Sequence, residues 1–225
     1  MDTYYKFAFV FWLWFFIAAG AKLSKNEERG SALYSTSLIV YGLLILLVAY
    51  YSIYNACEEY SNMAWWKSIT KIIGIAFLNA ILPTVIMFYS IVALVENVPA
   101  WVSPFSNTIG YLFYKSSIDE LITDLYKSPN EMVNASKKSL LEKMYSDTSL
   151  FFNALTPENF DSTYDNLVAD NELLKGTKED ASDVKVEMKY YVNQKHHVGQ
   201  LAWLFMAGLT SISTISTNFK SFECD

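Results

Sequence analysis

IIGIAFLNAILPTVIMFYSIVALV, which fills residues 72–95, contains no charged side chain. A bilayer core takes about 20 mostly apolar residues per helix, and this run exceeds that length. An uninterrupted apolar run of this length is typical of a transmembrane helix. The run therefore predicts that the chain crosses a membrane.

Three further apolar runs repeat the pattern with different strengths. Residues 32–53 and 198–217 are uncharged, the latter less apolar, and residues 7–21 extend back to residue 4 across Lys6. A cleaved signal peptide is the alternative for the first run, because Lys6 precedes it and small residues end it. Its many Phe and Trp residues favour a retained helix. The predicted fold is an all-α membrane protein. Three transmembrane helices, at about 4–21, 32–53 and 72–95, come first. A small and mostly helical soluble segment at 96–197 follows them, and a fourth transmembrane helix at 198–217 and a short tail at 218–225 end the chain.

The net charge of −6 belongs to the soluble segment. Residues 96–197 carry ten lysines and sixteen acids, whereas the charges elsewhere cancel. A nucleic-acid-binding protein needs a basic patch or stripe, so no nucleic-acid partner is expected. Long-range charge steering predicts instead that a partner of this segment is basic.

Basic residues near the ends of the apolar runs predict the orientation in the membrane. The first loop holds Lys22, Lys25 and Arg29, and the ends of the soluble segment add four lysines: Lys115, Lys185, Lys189 and Lys195. The positive-inside rule places the loop and the segment on the cytosolic side and both termini on the other side. The glycosylation pattern that begins at Asn134 is then predicted to stay unmodified.

The same orientation puts Cys57 and Cys224 together on the non-cytosolic face. They could pair in a disulfide, because that side is usually oxidising. Two unrelated free thiols are the alternative.

Pro83 lies near the middle of the third run, four residues after Asn79. Proline removes one helical hydrogen bond and crowds the carbonyl of residue 79, which predicts a kink. Asn79 could bond to another helix. Helix packing is the simpler interpretation of the pair, and a gating kink in a channel or transporter is the alternative. Small residues in the fourth run also predict close helix contact: Gly199, Ala202, Ala207 and Gly208.

Start signals predict short helices in the soluble segment. Residues 117–120 and 128–131 match capping boxes, and Thr156-Pro157 starts a third helix that Gly176 closes. Each of these helices has a narrow apolar face.

Two other stretches of the segment are expected to depart from helix. Pro99 and Pro104 forbid a continuous helix at its start. Residues 183–192 alternate apolar and charged side chains, which favours a short strand near 184–190 over a helix that runs into the fourth span.

The sequence offers little for catalysis or metal binding. The only histidines, His196 and His197, are adjacent, and neighbouring residues on a helix point in different directions, so they form a poor chelate. Asp119, Glu120 and Asp124 are most simply a solvated helix face. No catalytic residue, metal ion or cofactor is expected, and the predicted class is a non-enzyme.

One segment resembles a known group of proteins. VPAWVSPFSNTIGYL at residues 98–112 is similar to a segment of membrane proteins of nucleocytoplasmic large DNA viruses, and TPENF at residues 156–160 fits the same resemblance. The resemblance implies a structural or minor capsid protein of the virion's internal membrane, which is derived from the host during assembly, with its soluble segment facing the capsid. The residues it carries over form a structural motif: Pro99, Trp101, Pro104, Phe105, Asn107 and Gly110.

Three functional classes remain open on the sequence. The first is a structural membrane protein that contacts the bilayer and other capsid or membrane proteins of an assembly. The second is a channel or transporter subunit with a kinked third helix. The third is a membrane-shaping or fusion component that uses the aromatic first helix.

Overall fold

The structure, a computed structural model, describes residues 3–56, 65–170, 172–176 and 180–220. About 86% of the chain is helical, and these described ranges contain no β-strand. The helical class is therefore confirmed. Four helical stretches are long and apolar enough to cross a membrane, as the apolar runs predict: Tyr4–Lys22, Glu28–Asn55, Ser68–Asn97 and Ser182–Phe219.

The chain divides into two compact units. Met1–Val98 and Leu201–Asp225 form the first, and Pro99–Gln200 forms the second. Cys57 and Cys224, the candidate disulfide partners, lie outside the described residues.

The first unit is built from helices that follow the apolar runs. Its first two elements are α1 (Thr3–Lys22) and α2 (Glu27–Ala56). The next stretch comprises α3 (Trp65–Ala76), a π-helical turn (Phe77–Ile81), α4 (Leu82–Thr84), a second π-helical turn (Val85–Tyr89) and α5 (Ser90–Asn97). The C-terminal part of α11 (Asp180–Lys220), from Leu201 onward, completes the unit.

Aromatic side chains join the helices of the first unit. The ring of Trp14 on α1 lies 4.9 Å from that of Tyr41 on α2 and 5.0 Å from that of Phe88 in the second π-helical turn. Phe11 extends the cluster to Phe205 of α11 at 6.4 Å. Tilted and edge-to-face rings at such separations attract each other beyond the area they bury. This cluster is the packing centre of the unit.

Small residues of α11 permit this close packing. A Cβ atom at Gly208 would lie 1.9 Å from Cε2 of Phe11, so a larger residue does not fit there. Ala207 beside it is buried. The helix contact that the small residues predict is found at these two positions.

Polar contacts between helices supplement the apolar packing. The indole Nε1 of Trp14 donates to Ser37 Oγ at 3.2 Å, and the Tyr89 hydroxyl donates to the carbonyl of Leu38 at 2.7 Å. Lys22 at the end of α1 donates to Glu96 at the end of α5 at 3.2 Å. Interhelical hydrogen bonds of this kind add specificity where apolar packing alone does not choose a register.

The helix around Pro83 accommodates the proline with the two π-helical turns that flank α4. Proline has no N–H to donate to the carbonyl four residues earlier, which is that of Asn79. That carbonyl accepts a hydrogen bond from Nδ2 of Asn218 on α11 at 3.3 Å. The side chain of Asn79 donates instead to Ile75 of its own helix at 2.9 Å. The interhelical bond expected at Asn79 exists, but it uses the main-chain oxygen that Pro83 leaves unpaired.

The second unit contains shorter helices. They are α6 (Pro99–Phe105), a π-helical turn (Ser106–Gly110), α7 (Tyr111–Leu125), a 3₁₀ turn (Pro129–Glu131), α8 (Ala135–Ser146), α9 (Thr148–Phe152), α10 (Phe160–Leu167) and the N-terminal part of α11. Backbone hydrogen bonds from Lys127 N–H to the Leu173 carbonyl and from Lys175 N–H to the Leu125 carbonyl join the end of α7 to residues 173–175.

One hydrophobic core unites these helices. Its buried side chains come from the apolar faces that the start signals predict and from α11: Ile118, Leu121, Ile122, Leu125, Leu141, Met144, Phe152, Leu155, Phe160, Tyr164, Met188 and Val192. Fully burying one large apolar side chain stabilises by about 1.5–3 kcal/mol. The narrow apolar faces therefore converge on a shared core.

The strand predicted near residues 184–190 is wrong, because these residues belong to α11. Met188 and Val192 are fully buried at helical spacing, and Val184 packs against the same core. Lys185 and Lys189, also four residues apart, both form ion pairs with Asp161. Tertiary contacts on two helical faces therefore override the local alternation.

The predicted helix starts are displaced. Residues 117–120 lie inside α7, and α8 begins after Asn134, whose Oδ1 accepts hydrogen bonds from the N–H groups of Ser136 and Lys137. Thr156 and Asn159 exchange reciprocal hydrogen bonds just before α10, which ends at Leu167, well before Gly176. Of these three helices, only α8 is capped by an asparagine side chain, that of Asn134, which accepts backbone N–H groups well.

Substitution of Tyr41 tests the packing of the first unit. Its hydroxyl is buried and has no hydrogen-bond partner among the described residues, whereas that of Tyr89 bonds to Leu38. Removing an unsatisfied buried hydroxyl is neutral or stabilising, and removing a bonded one costs about 1 kcal/mol. Tyr41→Phe should therefore keep or raise the apparent Tm of the purified protein in detergent, and the matched Tyr89→Phe should lower it. Equal losses in the two variants would contradict this packing.

Candidate docking surface on the Pro99–Gln200 unit

The expected break is confirmed at Pro99 and wrong at Pro104, because Val98 is extended and ends α5, whereas α6 continues through Pro104. Pro99 occupies the first position of α6, where no N–H is needed. Pro104 removes one donor, and the π-helical turn follows directly after it. Thr108 Oγ1 donates to the Pro104 carbonyl at 2.6 Å, and Tyr111 N–H donates to Ser106. These hydrogen bonds continue the helix beyond Pro104 through the π-helical turn.

The inner face of this helix meets a buried lysine. Lys195 of α11 is 1% exposed, and its ammonium donates to Asn107 Oδ1 at 3.1 Å, to the Phe152 carbonyl at 2.8 Å and to Asn153 Oδ1 at 3.4 Å. The ammonium also lies 5.2 Å from the centroid of the Phe152 ring. The amide of Asn153 donates to the Asn107 carbonyl at 3.1 Å. One ammonium thus joins the π-helical turn and the end of α9 to α11.

Two glycines let the helices approach closely at this point. A Cβ atom at Gly110 would lie 2.3 Å from the carbonyl oxygen of Lys195, and one at Gly199 would lie 2.7 Å from the backbone nitrogen of Ser106. Both contacts are to backbone atoms, which cannot rotate away. Any side chain at these positions would force the helices apart and separate Asn107 from Lys195.

A hydroxyl relay holds α9 against α7 beside the lysine. Thr148 Oγ1 donates to Asp119 Oδ1 at 2.5 Å, and it lies 2.7 Å from the Tyr111 hydroxyl. A hydroxyl has one hydrogen to donate, so Tyr111 must be the donor to Thr148. The Tyr111–Thr148–Asp119 chain of hydrogen bonds ties the Asp119 carboxylate to α9. The sequence assigned this carboxylate to a solvated helix face.

Ion pairs on the surface join the remaining elements. Lys189 of α11 donates to Asp161 of α10 at 2.7 Å and holds the pKa of that carboxyl below its usual value. Lys137 of α8, 2.7 Å from Asp170, lowers the pKa of the Asp170 carboxyl in the same way. Exposed pairs of this kind contribute little each, because water and salt screen them.

The outer face of the same helix is apolar and exposed. Ile109, Leu112 and Phe113 are 40%, 69% and 73% exposed, and their spacing of three and four residues places them on one side. We name these three side chains the outer stripe. Trp101, earlier on the helix, is 41% exposed. Contiguous exposed apolar side chains on a folded unit are typical of an interaction surface.

The motif residues divide between these two faces. Asn107 and Gly110 contact Lys195 on the inside. Pro99, Trp101 and Pro104 are exposed, and Phe105 is half-buried. Asn79 and Pro83 belong to the first unit.

The sequence reasoning missed Lys195 as the centre of the site. Its signal is a periodicity: Met188, Val192, Lys195 and Gly199 follow one another at intervals of four, three and four residues, and all are buried. A lysine within an otherwise apolar helical stripe needs buried acceptors. Asn153, the acceptor on α9, carries no comparable local signal.

No group of three or more His, Cys, Asp or Glu side chains in the described ranges could hold a metal ion. The rings of His196 and His197 lie 6.4 Å apart, and His197 Nδ1 is 3.3 Å from Gln200 Oε1. The pair therefore participates in local helix contacts.

The chain matches no protein-family model, no curated protein and no solved structure. The two faces of the α6–α7 helix are therefore interpreted from their own geometry.

Substitution of Lys195 tests the contacts on the inner face of the helix. Lys195→Met keeps the approximate length of the side chain but leaves the buried Phe152 carbonyl and the part-buried side-chain oxygens of Asn107 and Asn153 without their donor. Loss of buried partners of this kind costs about 3 kcal/mol. We expect a clear fall in the apparent Tm in detergent. Lys189→Met, on the same helix but half-exposed, should lower the Tm much less, because solvent screens its ion pair. A comparable loss in both variants would show that Lys195 does not hold the two segments against α11.

The depressed carboxyl pKa values predict an acid dependence. A carboxyl whose folded pKa lies below its unfolded pKa stabilises the fold above the unfolded pKa, and this contribution is lost as the pH falls through the folded pKa. Asp161 should therefore contribute at pH 7 and lose its contribution as the pH falls below the ordinary aspartate pKa of about 3.9. In thermal unfolding at stepped pH, Asp161→Asn should lie below the parent at pH 7 and approach it on acidification. A gap between Asp161→Asn and the parent that stays constant across the pH range would contradict the assignment.

Proposed function

We propose that this protein is a structural integral membrane protein that presents the Pro99–Gln200 unit as a docking module for another protein. The four apolar helices cross the bilayer, and the outer stripe binds the partner. The exposure of Ile109, Leu112 and Phe113 on a helix that Lys195 pins from the other side carries the proposal.

The surface of the first unit supports its place in a bilayer. Large apolar side chains more than 60% exposed recur along its helices: Phe9, Phe16, Ile39, Leu47 and Leu78. Soluble proteins rarely expose apolar surface over so many turns of so many helices. Within hydrocarbon the same side chains contact acyl chains, and the helices satisfy their own backbone groups.

The outer stripe suits a protein partner. It lies on a unit of formal net charge −5, from fifteen acids and ten lysines, and an anionic membrane surface repels such a unit. A partner with an apolar centre and a basic rim matches both the stripe and the charge. Pinning by Lys195 lowers the ordering cost of binding, because the helix is held before the partner arrives.

The resemblance at residues 98–112 and 156–160 narrows the proposal. It suggests the internal membrane of a virion, with a capsid-shell protein as the partner. The basic residues of the first loop and of the soluble segment support an orientation with the docking unit on the cytosolic, capsid-facing side.

A channel or transporter subunit is the second candidate. π-helical turns often occur at functional sites, and two of them flank Pro83 in the first unit. Solute or ion flux through proteoliposomes that contain the purified chain alone would favour this candidate.

Photo-crosslinking in the native assembly tests the docking proposal. Benzoylphenylalanine in place of Phe113, which is 73% exposed, should crosslink to one protein of the assembly, identified by mass spectrometry. The same group at Thr123, which is exposed later on α7, serves as the control and should give few crosslinks.

Two results would reject parts of the proposal. Crosslinks from position 113 that reach only lipid would remove the protein partner. Absence of the chain from purified particles by quantitative proteomics would remove the virion role while leaving a docking function in another membrane.

A further inference from the structure

Two cavities lie side by side between α1 and α2. The larger, of about 310 Å³, is lined by Phe9 and Val10 of α1 and by Leu44, Leu47 and Val48 of α2. The second, of about 260 Å³, has walls that include Leu13 and Ile17 of α1 and Leu33 and Val40 of α2. Leu44 lines both cavities. We name the two together the α1–α2 furrow.

The furrow is open to the outside of the helix pair and has apolar walls. Phe9, Leu13 and Leu47 on its rims are 67%, 48% and 61% exposed. The indole nitrogen of Trp14, in the wall of the second cavity, donates to Ser37 Oγ. A flexible hydrocarbon fills such a surface without competing for hydrogen bonds, since it gains dispersion contacts along the whole wall.

The length of the furrow matches one leaflet of a membrane. Along α1 it runs from Lys6 to Ile17, which is about 16 Å at the α-helical rise of 1.5 Å per residue. The hydrocarbon core of a bilayer is about 30 Å thick, so one leaflet accounts for about 15 Å. One acyl chain therefore fits from end to end.

A cation stands at one end of the furrow. Lys6, at the end of the first turn of α1, has its ammonium 5.2 Å from the centroid of the Tyr51 ring, and both residues line the larger cavity. Within the described part of the chain, no carboxylate lies at ion-pair distance from Lys6. The furrow thus ends at a positive charge that has no carboxylate partner among the described residues, and a lysine at the end of a span can reach toward lipid phosphates.

We propose that the α1–α2 furrow binds an anionic phospholipid, with one acyl chain along the furrow and the charged headgroup at Lys6. The inference rests on the membrane insertion proposed above and adds a ligand class to it. Charge complementarity selects the headgroup, and the apolar walls hold the chain.

Native mass spectrometry of the full-length protein tests the site. The protein is reconstituted in equal amounts of phosphatidylglycerol and phosphatidylcholine, extracted in detergent, and the retained lipids are counted. Phosphatidylglycerol should be retained about fivefold over phosphatidylcholine. This ratio corresponds to the attraction of one basic residue at a membrane surface to an anionic lipid. Lys6→Gln should abolish the preference, and Lys6→Arg should keep it.

Two further variants separate the headgroup from the furrow. Leu44→Trp, which fills the point that both cavities share, should reduce retention of both lipids. Lys25→Gln changes an exposed lysine of the first loop and should leave the preference unchanged. A persistent preference in Lys6→Gln would overturn the headgroup assignment, and unchanged retention in Leu44→Trp would overturn the furrow.

Carbonate extraction of membranes that contain the protein distinguishes this inference from the proposed function. A chain released by carbonate is not integral, and both proposals fail. A carbonate-resistant chain without a lipid preference overturns the lipid site alone.

Discussion

The buried ammonium of Lys195 is the constraint on which the second unit depends. Taking an ammonium out of water costs several kcal/mol, so it is tolerated only where acceptors surround it. An ammonium has three donors, and here they meet Asn107, the Phe152 carbonyl and Asn153. These acceptors come from two segments more than forty residues apart. Satisfying one charge therefore fixes both segments against α11 in a single arrangement. The backbone contact at Gly110 brings Asn107 within reach, so a small residue and a buried charge act together.

Local sequence signals predicted the helical class but not the tertiary contacts that set where individual helices begin and end. The apolar runs predicted four helices long enough to span a membrane, because that property depends only on composition along the chain. The strand near 184–190 failed because alternation is a local pattern, whereas the burial of Met188 and the ion pairs of Lys185 depend on α10. Within the site, Asn107 and Gly110 stood in a recognisable segment. Lys195 was noted only as a charge near a span, since its acceptors lie far away in sequence.

At Pro104 and the π-helical turn that follows it, the buried face of the helix changes. Across Pro104 and up to the end of the π-helical turn, the buried positions are Val102, Ser106 and Gly110, at intervals of four. After the π-helical turn the buried series restarts at Tyr111 and continues through Ile118 and Ile122. A π turn holds one more residue than an α turn, so it shifts the register by one position. The shift lets one helix present Asn107 to Lys195 and then continue into the core of the unit.

The two units expose apolar surface in different ways, and the difference bears on what covers each. In the first unit, exposed apolar side chains such as Phe16 and Ile39 are distributed along the helices, as contact with a fluid hydrocarbon solvent requires. In the second unit, Leu112 and Phe113 lie on a helix whose other face is pinned by a charge and a backbone contact. A fluid solvent gains nothing from rigid placement, whereas a protein partner does, because a preorganised surface lowers the cost of ordering on binding. The rigidity behind the outer stripe therefore favours a specific protein partner over lipid, and the acidic charge of the unit favours a basic one.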